Sequence, residues 1–238
     1  MSTYYIASCM FTAKFPELSL KIQNYIKTKP DIKLVRCCIP DYRVEFNTNR
    51  ISNSEVQDAW KQLPVSEVFQ PEDTIISVCH NCTNIVEEWR GAHAISLWEF
   101  IDQDPTFVFP DYNGLEVTLQ DCWRTRERQS EQQAVRNLLK KMNIHYLEVE
   151  KNHENTDFCG STLYREQPVK NSKLAPKHYI EQAKGKFLPH TKEEQISIMQ
   201  NYCKQYQTKT VVCYCHYCLD GLLEGGVDGQ HIASLLFQ

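Results

Sequence analysis

Short apolar, β-branched runs alternate along the chain with segments in which apolar residues recur every three or four positions. The short runs predict strands over residues 4–8, 33–36, 74–78, 115–119, 145–149 and 208–212. The segments between them predict helices over residues 16–28, 53–63, 83–90, 129–142 and 192–206. Strands that alternate with helices predict an α/β fold with small, mostly parallel sheets that are flanked by helices.

The order of elements is repeated, which predicts two pseudo-symmetric halves, residues 1–102 and 103–238. The run Thr-Ile-Ile-Ser-Val-Cys79-His-Asn-Cys82 has its counterpart in Thr-Val-Val-Cys213-Tyr-Cys215-His-Tyr-Cys218. In both, a strand-like run ends at a C-x-x-C and a helix-like segment follows. The joint between the halves is predicted at residues 102–114, which hold two prolines and an Asn-Gly pair.

The tails of the two halves also match, since residues 91–100 parallel residues 229–237. His93 and His231 occupy equivalent places in these tails. Both precede a segment whose apolar residues predict a helix, so a structural capping role is the expectation for both histidines.

Composition excludes several classes of function. The 238 residues carry a net charge of −4 without a basic stripe, so nucleic-acid binding is not expected. No apolar run reaches the roughly 18 residues that span a bilayer, and no N-terminal signal segment is present. We therefore expect a soluble protein of the cytoplasm.

Cysteine is unusually abundant, and its distribution follows the repeat. Eleven cysteines without a signal segment favour metal binding or redox chemistry over a disulfide framework. Nine of them form two sets at matching places, each at the predicted carboxyl ends of strands, where parallel sheets bind ligands. The first set is Cys9, Cys37, Cys38, Cys79 and Cys82, and the second is Cys122, Cys159, Cys215 and Cys218.

This arrangement resembles the duplicated cysteine-rich CCG domain, whose pattern is Cys…Cys-Cys-Gly…Cys-x-x-Cys. The family includes the cysteine-rich subunit of heterodisulfide reductase and the iron–sulfur subunits of lactate and glycolate oxidation systems. The resemblance covers essentially the whole chain, and the run Gln-Asp-Cys-Trp-Arg at residues 120–124 is similar to the family's His-Asp-x-Cys stretch. It implies a [4Fe–4S] cluster of the non-cubane type, held by Cys9, Cys37, Cys38, Cys79 and Cys82. The first set departs from the pattern because Ile39-Pro40, and not glycine, follows the cysteine pair.

The second set departs further, because Phe158 stands where the first cysteine of the pair would be. The four remaining cysteines suit a zinc ion or a second [4Fe–4S] cluster equally well. Cys213 could supply a fifth thiolate, since alternate strand residues point to the same face. A core strand position explains Cys213 as well, and both interpretations stay open. Cys203 lies on an apolar helical face and is predicted to be a core residue.

Four other residues lie close in sequence to the predicted sites. His80 and His216 fall inside the C-x-x-C segments, where they could bond to cluster sulfurs or move protons, or simply be solvated. Arg124 and Arg126 follow Cys122. They could offset the negative charge of a thiolate-ligated group, or face solvent.

These features predict an iron–sulfur redox protein that transfers electrons or reductively cleaves a disulfide. No flavin or nicotinamide fingerprint is present, so a partner redox subunit is expected to donate the electrons to a thiol or disulfide substrate. The alternative from another class is a non-redox protein with structural zinc in four-cysteine sites. A third hypothesis is a thiol-dependent regulatory or binding module whose sites are normally empty.

Overall fold

The computed structural model describes residues 1–66 and 69–238. The chain divides into two compact units, and each has its own sheet. Unit 1 comprises residues 1–100 with residues 174–176 and 237, and unit 2 comprises residues 101–173, 177–236 and 238. No helix within the described residues is long and apolar enough to cross a membrane.

Unit 1 contains a four-stranded, wholly parallel sheet with the strand order β2-β1-β3-β4. Its strands are β1 (Thr3–Ile6), β2 (Ile32–Val35), β3 (Thr74–Ser77) and β4 (His93–Ser96). The helices in this part of the chain are α1 (Cys9–Lys14), α2 (Pro16–Lys27), α3 (Val44–Thr48), α4 (Ser54–Gln62), α5 (His80–Arg90) and α6 (Leu97–Gln103), and α6 contains the boundary between the units.

Unit 2 repeats this sheet with the strand order β6-β5-β7-β8, again wholly parallel. Its strands are β5 (Leu115–Gln120), β6 (Ile144–Glu148), β7 (Thr210–Cys213) and β8 (Asp228–His231). The helices are α7 (Gln129–Lys141), α8 (Val169–Leu174), α9 (Lys192–Cys203), α10 (His216–Glu224) and α11 (Ile232–Leu236). Single helical turns occur at Trp123–Thr125, His153–Asn155, Gly160–Tyr164 and Lys177–Glu181.

The central strands form the core because both of their faces are covered. Tyr5 and Ile6 of β1 and Ile75 and Ile76 of β3 are fully buried, as expected for parallel strands between two layers of helices. α4 is fixed to the end of β1 by Trp60, whose indole N–H donates to the carbonyl of Ala7 at 2.8 Å. This bond holds the helix close to the edge of the sheet where the first cysteine set begins.

The predicted α/β fold with two pseudo-symmetric halves is confirmed, and the differences are local. Both tails begin with a fourth strand, β4 or β8, where a helix alone was expected. These strands have only four residues and one sheet neighbour each, so they carry a weak apolar signal. The helices after the two C-x-x-C segments begin inside them, at His80 and His216. His231, the last residue of β8, accepts a hydrogen bond from the Ala233 amide at 3.2 Å, which is the predicted capping role. His93 is the first residue of β4, four positions before α6 begins, so it does not precede the helix directly.

A buried ion pair supports the centre of unit 2. Asp121, at the end of β5, is fully buried and receives both terminal nitrogens of Arg136 from α7, at 2.7 and 3.2 Å. Arg136 also bonds to Glu148 at the end of β6 through Nε at 2.7 Å. The hydroxyl of Tyr214, next to Cys215, donates to the Asp121 carboxylate at 2.8 Å. The network therefore joins β5, β6 and α7 to the segment that leads into α10.

We expect Arg136→Ala to destabilise the protein by about 3–5 kcal/mol, because it would leave the Asp121 carboxylate buried without its counter-charge. Urea denaturation of the full chain measures this loss. The control is Lys140→Ala, an exposed position on the same helix, for which we expect a change within about 0.5 kcal/mol. Equal losses in the two variants would contradict the importance of the buried pair.

Candidate metal centre

Four cysteines of unit 2 converge at the carboxyl edge of the sheet. Their Sγ atoms all lie within 4.8 Å of one another, and all four residues are buried. The Sγ atoms of Cys122 and Cys159 are 3.7 Å apart. Cys122 follows β5, Cys159 precedes the turn at Gly160–Tyr164, and Cys215 and Cys218 flank the start of α10. We call Cys122, Cys159, Cys215 and Cys218 the four-thiol group.

The spacing of this group suits a single metal ion. A tetrahedral ion with metal–sulfur bonds of about 2.3 Å separates its sulfur ligands by about 3.8 Å. A four-iron cubane cluster binds each thiolate to a different iron atom, which sets the sulfurs further apart. Donors made only of thiolate favour soft or borderline metals such as zinc and iron. The residues present therefore fit one tetrahedral ion.

Glycine at position 160 allows the group to close. Gly160 has a backbone φ of +58°, which side-chain-bearing residues rarely adopt. A Cβ atom there would also overlap the carbonyl oxygen of Tyr217, inside the second C-x-x-C segment. Gly221, on α10, packs equally closely against Gly160. The Cys159-Gly160 pair thus approaches α10 at a distance that no other residue permits.

Arg124 lies outside the group and contacts two of its sulfur atoms. Its side chain is buried, with 4% of the residue exposed, and its Nε–H donates to Cys159 Sγ at 3.1 Å. Its backbone amide donates to Cys122 Sγ at 3.4 Å. The expectation that Arg124 faces solvent is therefore wrong, while charge compensation is consistent with these contacts. Arg126 stacks its guanidinium on the Trp123 ring, 4.2 Å from the centroid.

The surroundings of the four thiols affect their ionisation differently. Burial raises the pKa of the Cys122 thiol and of the Cys218 thiol, because it disfavours the charged form. Burial acts in the same direction on Cys159, but the hydrogen bond with Cys122 and the charge of Arg124 help to outweigh it, so the pKa of Cys159 is lowered. The surroundings of Cys159 thus favour the anionic form of its thiol, unlike those of Cys122 and Cys218.

The polar insertion at residues 167–189 contributes to the walls of this centre. Tyr179 and Phe187, both from the insertion, place their ring centroids 5.4 and 5.8 Å from the Arg124 guanidinium carbon. Tyr217 adds a third ring at 5.4 Å. This segment is polar and rich in lysine and proline, a composition that does not predict a buried wall. Its aromatic residues were the only indication of a buried role, and their spacing does not show that they pack around Arg124.

The five cysteines of unit 1 also come together, but less compactly. The Cys37 thiol interacts with Cys9, and the Cys82 thiol interacts with both Cys38 and Cys79. These contacts connect neighbouring members of the set, and four of the five residues are buried while Cys9 is partly exposed. Hydrogen bonding to Cys9, followed by burial, raises the pKa of Cys37. Among the described residues, no three of these thiols approach one another as closely as the four-thiol group.

Two further cysteines lie outside the four-thiol group. Cys213 is fully buried at the end of β7, and its thiol faces the carbonyl of Cys215 at 3.7 Å. Its position is that of a core strand residue, which was one of the two predicted interpretations. Cys203 lies in α9, where burial raises its pKa to about 11. Its predicted place in the core agrees with its burial.

The two C-x-x-C histidines are buried as the first residues of their helices. His80 is 4% exposed and His216 is 2% exposed, so the expectation of solvated loop histidines is wrong. The His216 ring lies against Tyr217, with 4.2 Å between the centroids. Both histidines are therefore part of the packed interior, one residue after Cys79 and Cys215 respectively.

The fold and the four-thiol group define an α/β protein with a candidate thiolate metal centre. No protein-family model matches the chain, and no curated protein matches it. Glutamate racemase isoform RacE1 of Bacillus anthracis is similar at 13% identity with a TM-score of 0.32, covering 100% of this chain and 78% of the racemase. An aspartate racemase homologue of Pyrococcus horikoshii OT3 is similar at 12% identity with a TM-score of 0.29, covering 99% and 95%. Similarity at this level carries no information about the site.

We expect Gly160→Ala to lower the free energy of unfolding by about 2–5 kcal/mol, since it adds both backbone strain and overlap with Tyr217. Binding of Zn²⁺ to the four-thiol group should weaken as well. Gly226→Ala is the matched control, because Gly226 has a φ of +79° but open space around its Cβ position. We expect the control to lose only about 1–2 kcal/mol and to bind zinc normally. Chemical denaturation and zinc titration measure both effects, and identical behaviour of the two variants would refute the close-packing role.

Proposed function

We propose that this chain is an iron–sulfur redox protein with two thiolate centres of different kinds. The five cysteines of unit 1 would hold a [4Fe–4S] cluster of the non-cubane type, and the four-thiol group of unit 2 would hold one metal ion. The observation that carries the proposal is the convergence, in each unit, of cysteines from three separate segments at the carboxyl edge of a parallel sheet. The resemblance to the CCG domain supports the choice of an iron–sulfur cluster.

The number and the spread of the thiols in unit 1 support a cluster there. A tetrahedral ion or a simple cubane cluster takes four thiolates, whereas unit 1 offers five. Cys38, Cys79 and Cys82 pack in one buried apolar cluster, which would exclude water from most of a bound cofactor. Cys9 is partly exposed, so it marks the side from which a partner could reach the site. Such a cluster, when bound, supplies electrons one at a time.

The same site determines the partners that we propose. The chain has no nucleotide or flavin fingerprint, so its electrons would come from a partner redox subunit. A disulfide that approaches the exposed side at Cys9 is the proposed substrate class, because its cleavage consumes two electrons and two protons and yields two thiols. Electron transfer within a larger oxidoreductase complex would use the same exposed side.

A non-redox protein with structural zinc is the second candidate, and the compactness of the four-thiol group favours it for unit 2. A closed site of four cysteines without an open coordination position is typical of structural zinc. Such an ion could stabilise unit 2 whatever unit 1 holds. The two candidates therefore differ only in the content of unit 1.

Anaerobic purification followed by metal and sulfide analysis distinguishes them. We expect brown protein with iron, acid-labile sulfide and an electron paramagnetic resonance signal in one redox state. Colourless protein with zinc alone would support the structural-zinc candidate and overturn the redox proposal. Metal-free protein whose thiols are all rapidly alkylated would instead support a thiol-dependent binding module.

The ligand assignment predicts a sharp loss of iron when Cys38 or Cys82 is replaced by serine, because each removes one thiolate of the cluster. Cys203→Ser should retain the iron of the wild type, since Cys203 lies outside both sites. Cys218→Ser should lose the ion of unit 2 but keep the iron and sulfide of unit 1. Iron and zinc per chain, measured on anaerobic samples, test all four variants. Equal iron in the Cys38, Cys82 and Cys203 variants would sink the assignment.

A further inference from the structure

Arg124 contributes a positive charge to an otherwise anionic, buried group of sulfur atoms. A divalent ion bound by four thiolates carries a net charge of about −2, and burying uncompensated charge is costly. The Arg124 guanidinium lies within hydrogen-bond distance of that group, through the 3.1 Å contact from Nε to Cys159 Sγ. A buried cation at this place removes one unit of that negative charge.

The environment of Arg124 strengthens this interaction. The rings of Tyr179, Phe187 and Tyr217 surround the guanidinium at 5.4–5.8 Å, so little water can screen its charge. Aromatic faces attract a cation, which helps to keep the arginine in this position. The guanidinium is thus held beside the Cys159 sulfur, where its charge offsets that of the thiolates.

Two of the four sulfurs receive hydrogen-bond donors from Arg124 itself. Cys159 Sγ receives the Arg124 side chain, and the Thr162 hydroxyl lies 3.5 Å from the same atom. Cys122 Sγ faces the Arg124 backbone amide at 3.4 Å. Hydrogen bonds to a metal-bound thiolate withdraw electron density from it, so the side chain of Arg124 would moderate the donation of Cys159 to the metal.

We propose that Arg124 is the charge-compensating and positioning residue of the four-thiol group, which sets its affinity for divalent metal and the electron donation of Cys159. The inference rests on the metal site of the proposed function but not on iron–sulfur chemistry in unit 1. It assigns to Arg124 a task that lysine could perform only partly, because a planar guanidinium combines a directed N–H with stacking against rings.

Metal titration of the full chain tests the proposal, with Zn²⁺ for affinity and Co²⁺ as a spectroscopic probe. We expect Arg124→Gln to bind Zn²⁺ about 10- to 100-fold more weakly than the wild type. The sulfur-to-cobalt charge-transfer bands should move to longer wavelength, because the Cys159 thiolate becomes a stronger donor without its cationic hydrogen bond. Arg124→Lys should restore part of the affinity.

Arg126→Gln is the matched control, since Arg126 is also close to Cys122 in the chain but stacks on Trp123. The charge of Arg126 also acts on Cys122, so we expect a loss of zinc affinity several-fold smaller than that of Arg124→Gln, with unshifted cobalt bands. Circular dichroism of the metal-free proteins identifies a variant that merely fails to fold, in which case Arg124→Lys decides. Wild-type affinity and bands in a folded Arg124→Gln protein would overturn the inference. Absence of metal binding in the wild type would instead overturn the metal site itself.

Discussion

Parallel strand pairing is the constraint on which both cysteine sites depend. In each unit three neighbouring strands run in the same direction, so the segments that leave their carboxyl ends meet at one edge of the sheet. Cys122 and Cys159 are 37 positions apart, yet their sulfur atoms are 3.7 Å apart because β5 and β6 are adjacent and in register. A shift of β5 against β7 by one residue would turn the segment that carries Cys122 away from the one that carries Cys215.

This architecture could be predicted from the sequence, because the strongest sequence signals are the ones that parallel sheets produce. Fully buried strands are continuous β-branched runs, and β3 and β7 show this in Thr-Ile-Ile-Ser and Thr-Val-Val-Cys. The repeat then allowed each half to be interpreted through the other. The edge strands β4 and β8 were not predicted, because an edge strand of four residues needs neither a long apolar run nor strict alternation.

The composition of the candidate metal site was only partly predictable, for a different physical reason. Cysteines can be recognised as candidate ligands from their residue type and spacing, and these two signals identified all four members of the four-thiol group. Arg124 was identified as a neighbour of Cys122, but its burial depends on rings from the insertion at residues 167–189, and no periodicity connects those positions. The exclusion of Cys213 from the group was equally hidden, because the last residue of a strand can face either the core or the site.

The two units show how one fold can present two different sets of thiols. Two positions after its first cysteine, unit 2 has Arg124, whereas unit 1 has Phe11, which is fully buried and apolar. Gly160 closes the site of unit 2, whereas Ile39 follows the cysteine pair of unit 1 and packs at its apolar cluster. A site without the close glycine contact has room for a larger group. A site without the arginine also lacks the positive charge that would stabilise four closely spaced thiolates. The different residues at these two positions therefore support the proposal of a larger cofactor in unit 1 and a single ion in unit 2, from sheets of the same topology.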